Sequence, residues 1–325
     1  MAAKGEGAMG VGKPEDCKSL TVAAVVVTLE KEEETAACLT SLLESSHQVD
    51  RIILVDNGSQ DGSIDRLARR FASRPSVEIY RNARNVGYAA AANQGVRQVL
   101  DEVDAILLTN DDAELPPTSL PALVDGLVRH PEAGVAVPRI VLASDPEMTW
   151  RGPSRFSWFK AGAVDPERGR SDWDSSLSDQ FVGTATGCVA LVRSETFRRV
   201  GLFDERFFLY GEDTDFLFRV RKAGMRVLFA SGTAVRHRVP TAEICPGSEF
   251  TAYHMARSHV LVLRKHARGP LRLYAIAVHL LVHTPGVAVR MLRHSGLRAV
   301  GGWIRGSFDG LRENRNEREE GSESG

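Results

Sequence analysis

The chain has 325 residues, 43% hydrophobic and 26% charged, which is the composition of a soluble, enzyme-sized protein able to bury a large core. Its formal net charge of -1 offers no global attraction to nucleic acid, so nucleic acid is excluded as an expected partner. The four cysteines, Cys17, Cys38, Cys188 and Cys245, lack both the paired spacing of a zinc site and the density of a disulfide scaffold, which points to a reducing cytoplasm.

Residues 1–19 hold Lys4 and Lys13 among glycines and acids without an apolar core, so a disordered N-terminus is expected there rather than a signal or anchor. From Thr21 onward, short β-branched runs alternate with helical stretches. Strands are expected at Val22–Thr28, Arg51–Val55, Val77–Tyr80, Ala105–Leu108 and Val135–Pro138, and helices at Glu33–Leu43, Ile64–Ala72, Ala89–Leu100 and Leu120–Arg129. The alternation predicts an α/β fold, Rossmann-like, with a mostly parallel sheet and helices on both faces. Between Ala143 and Gln180 the pattern dissolves into a stretch expected to be a long loop. Its tryptophans, Trp150, Trp158 and Trp173, suit either stacking on a ligand ring or plugging the core. Beyond it, Cys188–Arg193 and Arg226–Phe229 read as strands, and Glu195–Val200 and Asp213–Ala223 as helices, which places the end of the main domain, residues 20–240, near Arg238.

After Glu249 no acid occurs until Asp309, while Arg257, Arg264, Lys265, Arg268, Arg272, Arg290, Arg293, Arg298 and Arg305 accumulate. Residues 241–311 are therefore expected to form a basic helical extension, followed by a mobile charged tail over 312–325. Within the extension Leu273–Val282 is apolar but shorter than the roughly 20 residues that span a bilayer, and Pro285 interrupts its continuation. Two readings remain for it, a helix lying on an anionic membrane surface and a solvated basic face.

Four local patterns carry chemistry. In Val55-Asp56-Asn57-Gly58-Ser59, a strand breaks into a helix, and Asp56 at the carboxyl edge of a parallel sheet is placed to accept a hydrogen bond from a nucleobase imide. Asp, Asn, Gly and Ser also favour turns and caps for local reasons. In Arg81-Asn82-Ala83-Arg84-Asn85-Val86-Gly87-Tyr88, a Gly-Tyr turn opens a small-residue helix holding Asn93 and Gly95. Its backbone N–H groups, with Arg81 or Arg84, suit a ribose or phosphate, and tight helix–sheet packing competes as an explanation. In Thr109-Asn110-Asp111-Asp112-Ala113-Glu114, an apolar strand runs into clustered carboxylates, whose mutual repulsion is relieved by a hard divalent cation held by Asp112 and Glu114. In Phe207-Phe208-Leu209-Tyr210-Gly211-Glu212-Asp213-Thr214-Asp215, acids open a helix beside aromatics, where partial desolvation raises a carboxylate toward the range of a general base. Asp213 is the candidate base, with Glu212 and Asp215 orienting it, and His237 after the next strand is a further candidate metal ligand.

In this order the four patterns resemble the family 2 glycosyltransferases of the GT-A fold, especially bacterial rhamnosyltransferase-like members, over about residues 21–240. The resemblance implies that Asp56, with Asn57, Arg81, Asn85, Gly87, Asn93, Asp111 and Asp112, holds a UDP- or dTDP-sugar, and that Asp112, Glu114 and His237 hold Mg2+ or Mn2+ against its diphosphate. It further implies Asp213 as base, a hydroxyl acceptor on a glycan, lipid or small molecule, and a C-terminal region at the inner membrane face, with a homodimer admitted. The sequence departs from the family where β-strand one ends Val27-Thr28-Leu29-Glu30 instead of the usual Tyr-Asn pair, and in the extra carboxylate Asp111. The expected reaction is a single displacement with inversion. Two rivals are a sugar nucleotidyltransferase, against which the first strand lacks a Gly-rich phosphate loop, and a catalytically silent sugar-binding or membrane scaffold.

Overall fold

Alternate residues of the first strand face opposite sides of a sheet, and both sides are covered. In the computed structural model, which describes residues 20–172, 178–238 and 247–313, the main elements are β1 (Val22–Thr28), α1 (Glu32–Leu43), β2 (Arg51–Asp56), α2 (Ser63–Arg70), β3 (Val77–Arg81), α3 (Tyr88–Val99), β4 (Ala105–Asn110), β5 (Ala113–Glu114), α4 (Ser119–Arg129) and β6 (Ala133–Leu142). They continue with β7 (Asp145–Arg151), β8 (Arg155–Ser157), β9 (Gly162–Val164), β10 (Gln180–Val182), β11 (Val189–Arg193), α5 (Ser194–Val200), α6 (Glu212–Lys222) and β12 (Arg226–His237). Val22, Ala24 and Val26 pack against α1, α2 and α4, whereas Ala23 and Val25 pack against α3, α5 and α6. Period-two alternation thus splits one strand between two apolar layers. The expectations for residues 1–19, for Trp173 and Cys245, and for 314–325 lie outside the described residues.

The sheet has ten strands, in the order β10-β12-β6-β11-β4-β1-β2-β3, with β5 and β7 attached at its side. It is parallel from β3 to β4, but β11 runs antiparallel to both β4 and β6, so the sheet is mixed rather than mostly parallel. Register brings the carboxyl ends of the parallel strands level: Thr28 lies opposite Asp56, and Val27 opposite Asn110. Because β11 is antiparallel, its beginning meets the same edge, where the Asn110 backbone N–H donates to the Cys188 carbonyl at 2.9 Å.

Two segments depart from expectation. The stretch 143–180 is not one long loop, since β7 pairs with β6 and β8 with β9. Strand β12 does not end at Phe229; a register shift between Ala230 and Ala234 carries it on to His237, opposite Ala113 of β5. That continuation is polar and bulged, which hides its alternation in the sequence.

The extension is helical, with α7 (Glu249–His266), α8 (Gly269–Val278), a π-helical turn (His279–His283), α9 (Thr284–His294) and α10 (Gly296–Arg312). Helix α10 lies against α7 at glycine contacts: a Cβ at Gly306 would fall 2.1 Å from the Tyr253 carbonyl oxygen, and one at Gly302 2.4 Å from that of Glu249. Pro285 does not interrupt the apolar stretch. The π turn re-registers the backbone just before it, the missing proline N–H falls at the start of α9, and Gly269–His294 forms one helix of 26 residues, long and apolar enough to cross a membrane by length and composition. Part of its surface packs on the protein through Ala275, His279 and Met291, all fully buried, while Leu273, Leu281 and Val282 are exposed.

Candidate active site

At the carboxyl edge of β1 and β4 opens a cleft of about 500 Å3, lined by Lys31, Asn57, Asn85, Gly87, Asp111, Asp112, Trp150, Gly187, Glu212, Asp213 and His237 among others. Acids separated by a hundred residues of chain therefore face one space. Asp111 and Asp112 follow β4 directly and are both buried. Lys31, just beyond β1, bridges them, with its Nζ 3.2 Å from Asp111 Oδ1 and 2.7 Å from Asp112 Oδ2.

Strand β12 delivers His237, 1% exposed, to the other side of Asp112. Its Nε2 pairs with Asp112 Oδ1 at 2.8 Å, and its Nδ1 is buried with no hydrogen-bond partner. Burial raises the Asp111 carboxyl to about 6, with Lys31 pulling down and Asp112 pushing up. Burial also opposes ionisation of Asp112, but His237 and Lys31 outweigh it and hold that carboxyl down at about 2. For His237 burial disfavours the charged ring, yet Cys188 and Asp112 beside it push its pKa up to about 10. These are the marks of a cation site: two buried carboxylates beside an imidazole, in a pocket drawing positive charge from lysine and histidine.

Helix α6 opens at Gly211, whose φ of 81° follows Tyr210 at 65°, an uncommon left-handed backbone for a bulky residue. The turn presents Glu212 and Asp213 to the cleft. Asp213 Oδ2 accepts from the Gly187 N–H at 2.8 Å and Oδ1 from the Thr214 N–H at 2.5 Å. Gly187 is required there because a Cβ would come 2.9 Å from Asp213 Cβ. Glu212 is the desolvated member: burial, and Asp213 beside it, push its pKa up to about 8, and its Oε2 is buried without a partner.

The opposite wall is fixed by an amide pair. Asn57 Nδ2 donates to Asn85 Oδ1 at 2.9 Å, Asn57 Oδ1 accepts from the Val86 N–H at 3.1 Å, and Asn85 Oδ1 also accepts from the Gly87 N–H at 2.9 Å. Gly87 has φ of 88°, and a Cβ on it would lie 2.6 Å from the Phe208 carbonyl oxygen, to which Tyr88 N–H donates at 2.7 Å. The turn after β3 is thus clamped to the segment leading into α6.

Sequence comparison gives the same assignment. Residues 23–200 match the family described as glycosyl transferase family 2, and residues 177–241 match the N-terminal domain of galactosyltransferase. The chain belongs to glycosyl transferase family 2. The N-acetylglucosaminyl-diphospho-decaprenol L-rhamnosyltransferase of Mycobacterium tuberculosis is 28% identical over 308 residues, which cover 86% of this chain and 97% of that protein. The low-salt glycan biosynthesis hexosyltransferase Agl10 of Haloferax volcanii is 20% identical over 291 residues, 89% of this chain and 90% of its own. Among solved structures, GalNAc-T7 with UDP, GalNAc and Mn2+ superposes with a TM-score of 0.58 at 15% identity, over 87% of this chain and 60% of that one. The mannosyltransferase PcManGT of Pyrobaculum calidifontis, with GDP-Man and Mn2+, gives 0.55 at 16% identity over 92% and 84%. The structural likeness is one of fold, and it is the GT-A glycosyltransferase fold.

Not every residue expected at the site of this rhamnosyltransferase-like glycosyltransferase lines its cleft. Glu114 is held away by Arg238, whose guanidinium donates to its Oε1 at 2.9 and 2.6 Å, and its neighbour Asp111 lines the cleft in its stead. Asn93 is buried in packing, donating to the Phe203 carbonyl and accepting from the Phe203 N–H, both at 2.9 Å. Arg81 pairs with Asp65 at 2.7 Å on an exposed surface. Asp215 is a structural anchor, bound by Arg219, Lys265 and His266 at 2.9, 2.8 and 2.7 Å. Asp56 is 2% exposed at the end of β2, where its Oδ1 accepts from the Ser59 N–H at 3.0 Å. The tryptophans divide: Trp150 packs against His237 in the cleft, rings tilted by 34° with centroids 4.8 Å apart, while Trp158 packs with Phe156 and Phe218. Lys31 is the residue that sequence reading missed. Its signal was a lone base beyond β1, at the strand end that departs from the family pattern.

Proposed function

We propose that the protein is an inverting, metal-dependent glycosyltransferase that moves a sugar, a deoxyhexose such as rhamnose, from a UDP- or dTDP-sugar to an acceptor hydroxyl on a lipid-linked glycan. The observation that carries this reading is the convergence of Asp111, Asp112, His237 and Asp213 on one cleft. The choice of rhamnose and of a lipid-linked acceptor draws on the name of the Mycobacterium tuberculosis relative.

Asp112, with His237 and Asp111, fits a divalent cation, because two buried carboxylates and an imidazole meet there and draw their positive charge from Lys31 and His237. When bound, Mg2+ or Mn2+ supplies positive charge to the departing diphosphate. The remaining work belongs to the chain. Gly87 and the Asn57–Asn85 pair hold the wall against which the donor nucleotide rests, and Asp56 sits at the strand end behind them. Asp213, its carboxylate oriented by the Gly187 and Thr214 N–H groups, takes the proton from the acceptor hydroxyl. The acceptor oxygen forms a bond to the anomeric carbon as the bond from that carbon to the diphosphate oxygen breaks, its electron pair leaving with the nucleoside diphosphate. One displacement inverts the anomeric configuration and needs no covalent nucleophile.

Residues 20–240 are the catalytic unit in this reading and 241–311 the extension that brings it to a cytoplasmic membrane face. The extension exposes Leu273, Leu281, Val282 and Leu297 together with Arg290, Arg293 and Arg298, the composition of an interfacial surface. Contacts of the buried Ala275, His279 and Met291 with the rest of the protein support a helix that rests on the membrane surface in this reading.

The test is incubation of the full chain with Mn2+, a panel of UDP- and dTDP-sugars and a polyprenyl-diphosphate glycan acceptor. Acceptor-dependent release of nucleoside diphosphate, abolished by chelation, is expected. Pyrophosphate exchange instead would assign a nucleotidyltransferase, and neither product would leave a silent binding protein.

A further inference from the structure

A second group of metal-ligating side chains lies outside the cleft, between the extension and the β8–β9 hairpin. His259 of α7 and His279 and His283 of the π turn each offer a nitrogen, and these atoms lie within 4.8 Å of one another. His279 Nδ1 and His259 Nδ1 are 3.1 Å apart. A tetrahedral Zn2+ with bonds of about 2.0–2.1 Å sets its ligand nitrogens roughly 3.3 Å apart. The pair already stands at nearly that spacing.

The other nitrogen of His259 and of His279 is engaged elsewhere, and the His283 ring is also tied to the backbone. His259 Nε2 donates to the Ala161 carbonyl at 2.6 Å, His279 Nε2 is 3.0 Å from Ser307 Oγ, and the His283 ring bonds the Lys160 carbonyl. Ser307 Oγ in turn donates to the Trp303 carbonyl at 2.9 Å, which leaves the His279 ring as donor and turns its Nδ1 lone pair toward that of His259. Two lone pairs facing each other are unfavourable without a cation between them. A histidine tied at one nitrogen to a carbonyl or hydroxyl, with the other nitrogen free to bind, is the usual outer arrangement of a metal ligand.

The backbone is shaped to this cluster. Ala161 adopts a left-handed φ of 47°, uncommon for a residue with a Cβ, and its carbonyl is the one that anchors His259. The π turn that interrupts the α-helix is the segment bearing both His279 and His283, and such turns recur at functional sites. Ala161, Leu263 and Ala275 form a buried apolar cluster with Phe156, Trp158 and Val278 in the same region of the chain. Burial depresses His259 to about 4 and His279 to about 3, so both rings are neutral and competent to bind a metal at neutral pH.

We propose that His259, His279 and His283 form a structural site for a borderline transition-metal dication, Zn2+ first, that staples α7 to the π turn beside the β8–β9 hairpin. Half-buried His283 turns its ring to close the coordination, and a water takes the fourth position. Three nitrogen donors prefer Zn2+ or Co2+ to Mg2+, which sets this site apart from the oxygen-rich cleft.

The experiment uses the full chain, stripped with a chelator and titrated with Co2+ and Zn2+ in excess Mg2+. Uptake of about one equivalent with the visible absorption of nitrogen-ligated Co2+ is expected. Zn2+ at a hundredfold excess over its Kd should raise Tm by roughly 5 °C. His283→Gln, at a half-buried position, should weaken Co2+ binding more than about tenfold, and Ser307→Ala, which keeps all three ligands, by a smaller factor. Asp112→Asn should leave it unchanged. No uptake by the folded wild-type chain would overturn the proposal. So would binding that survives His283→Gln, or that disappears with Asp112→Asn.

Discussion

Replacing Lys31 by Met removes the ammonium that bridges Asp111 and Asp112 while keeping most of the side-chain volume. The two ion pairs it breaks span 3.2 and 2.7 Å, and the carboxylates left behind are 9% and 7% exposed. Breaking a fully buried ion pair costs about 3–5 kcal/mol, but the Lys31 side chain is 41% exposed, so solvent screening lowers the expected loss to about 1–2 kcal/mol. Asp111, already raised to about 6, answers by holding its proton to still higher pH. Metal-free Lys31→Met should therefore melt roughly 2–6 °C below wild type. With the competing ammonium gone, the same oxygens should take Mn2+ about tenfold more tightly, and saturating Mn2+ should close most of the Tm gap. Thermal denaturation with and without Mn2+, together with a Mn2+ titration, measures both effects. An equal Tm deficit in both conditions, with unchanged Mn2+ affinity, would show that lysine and metal do not share a site.

Asp213→Asn should keep donor binding and lose turnover by about 10²–10⁴-fold, read from steady-state rates beside a donor titration. Glu212 has its folded pKa raised to about 8, so its contribution to stability is complete below the unfolded value near 4.3 and is lost as pH rises through about 8. Glu212→Gln should thus gain on wild type by up to about 1.4 kcal/mol per pH unit across that window, and a urea series showing a pH-independent difference would rule this out. Gly87→Ala forces a Cβ to 2.6 Å from the Phe208 carbonyl oxygen at a φ of 88°, which should cost about 2–3 kcal/mol in urea denaturation and weaken donor binding.

Much of this architecture was legible locally. Apolar runs, small-residue helices and Asp, Asn and Gly turns act over a few neighbours, which is why β1 to β4, their helices and the cleft-lining Asp112 and Asp213 were readable from the sequence. Pattern failed where structure depends on distant partners. The polar second half of β12 is a strand only because β5 and β6 supply hydrogen bonds, and β7 exists only as the neighbour of β6. Proline marks a helix boundary in isolation, yet a π turn let the helix run through Pro285.

The site shows the same division. The order of residues determined that acids would follow a buried strand and open a helix, and that the electrostatic cost of their clustering would call for a cation. Only the tertiary structure decided which acids share the cleft, because side-chain direction and competing partners act through space. Arg238 removes Glu114, packing consumes Asn93, Lys265 and His266 claim Asp215, and Lys31 arrives from the turn between β1 and α1 to meet Asp111 and Asp112.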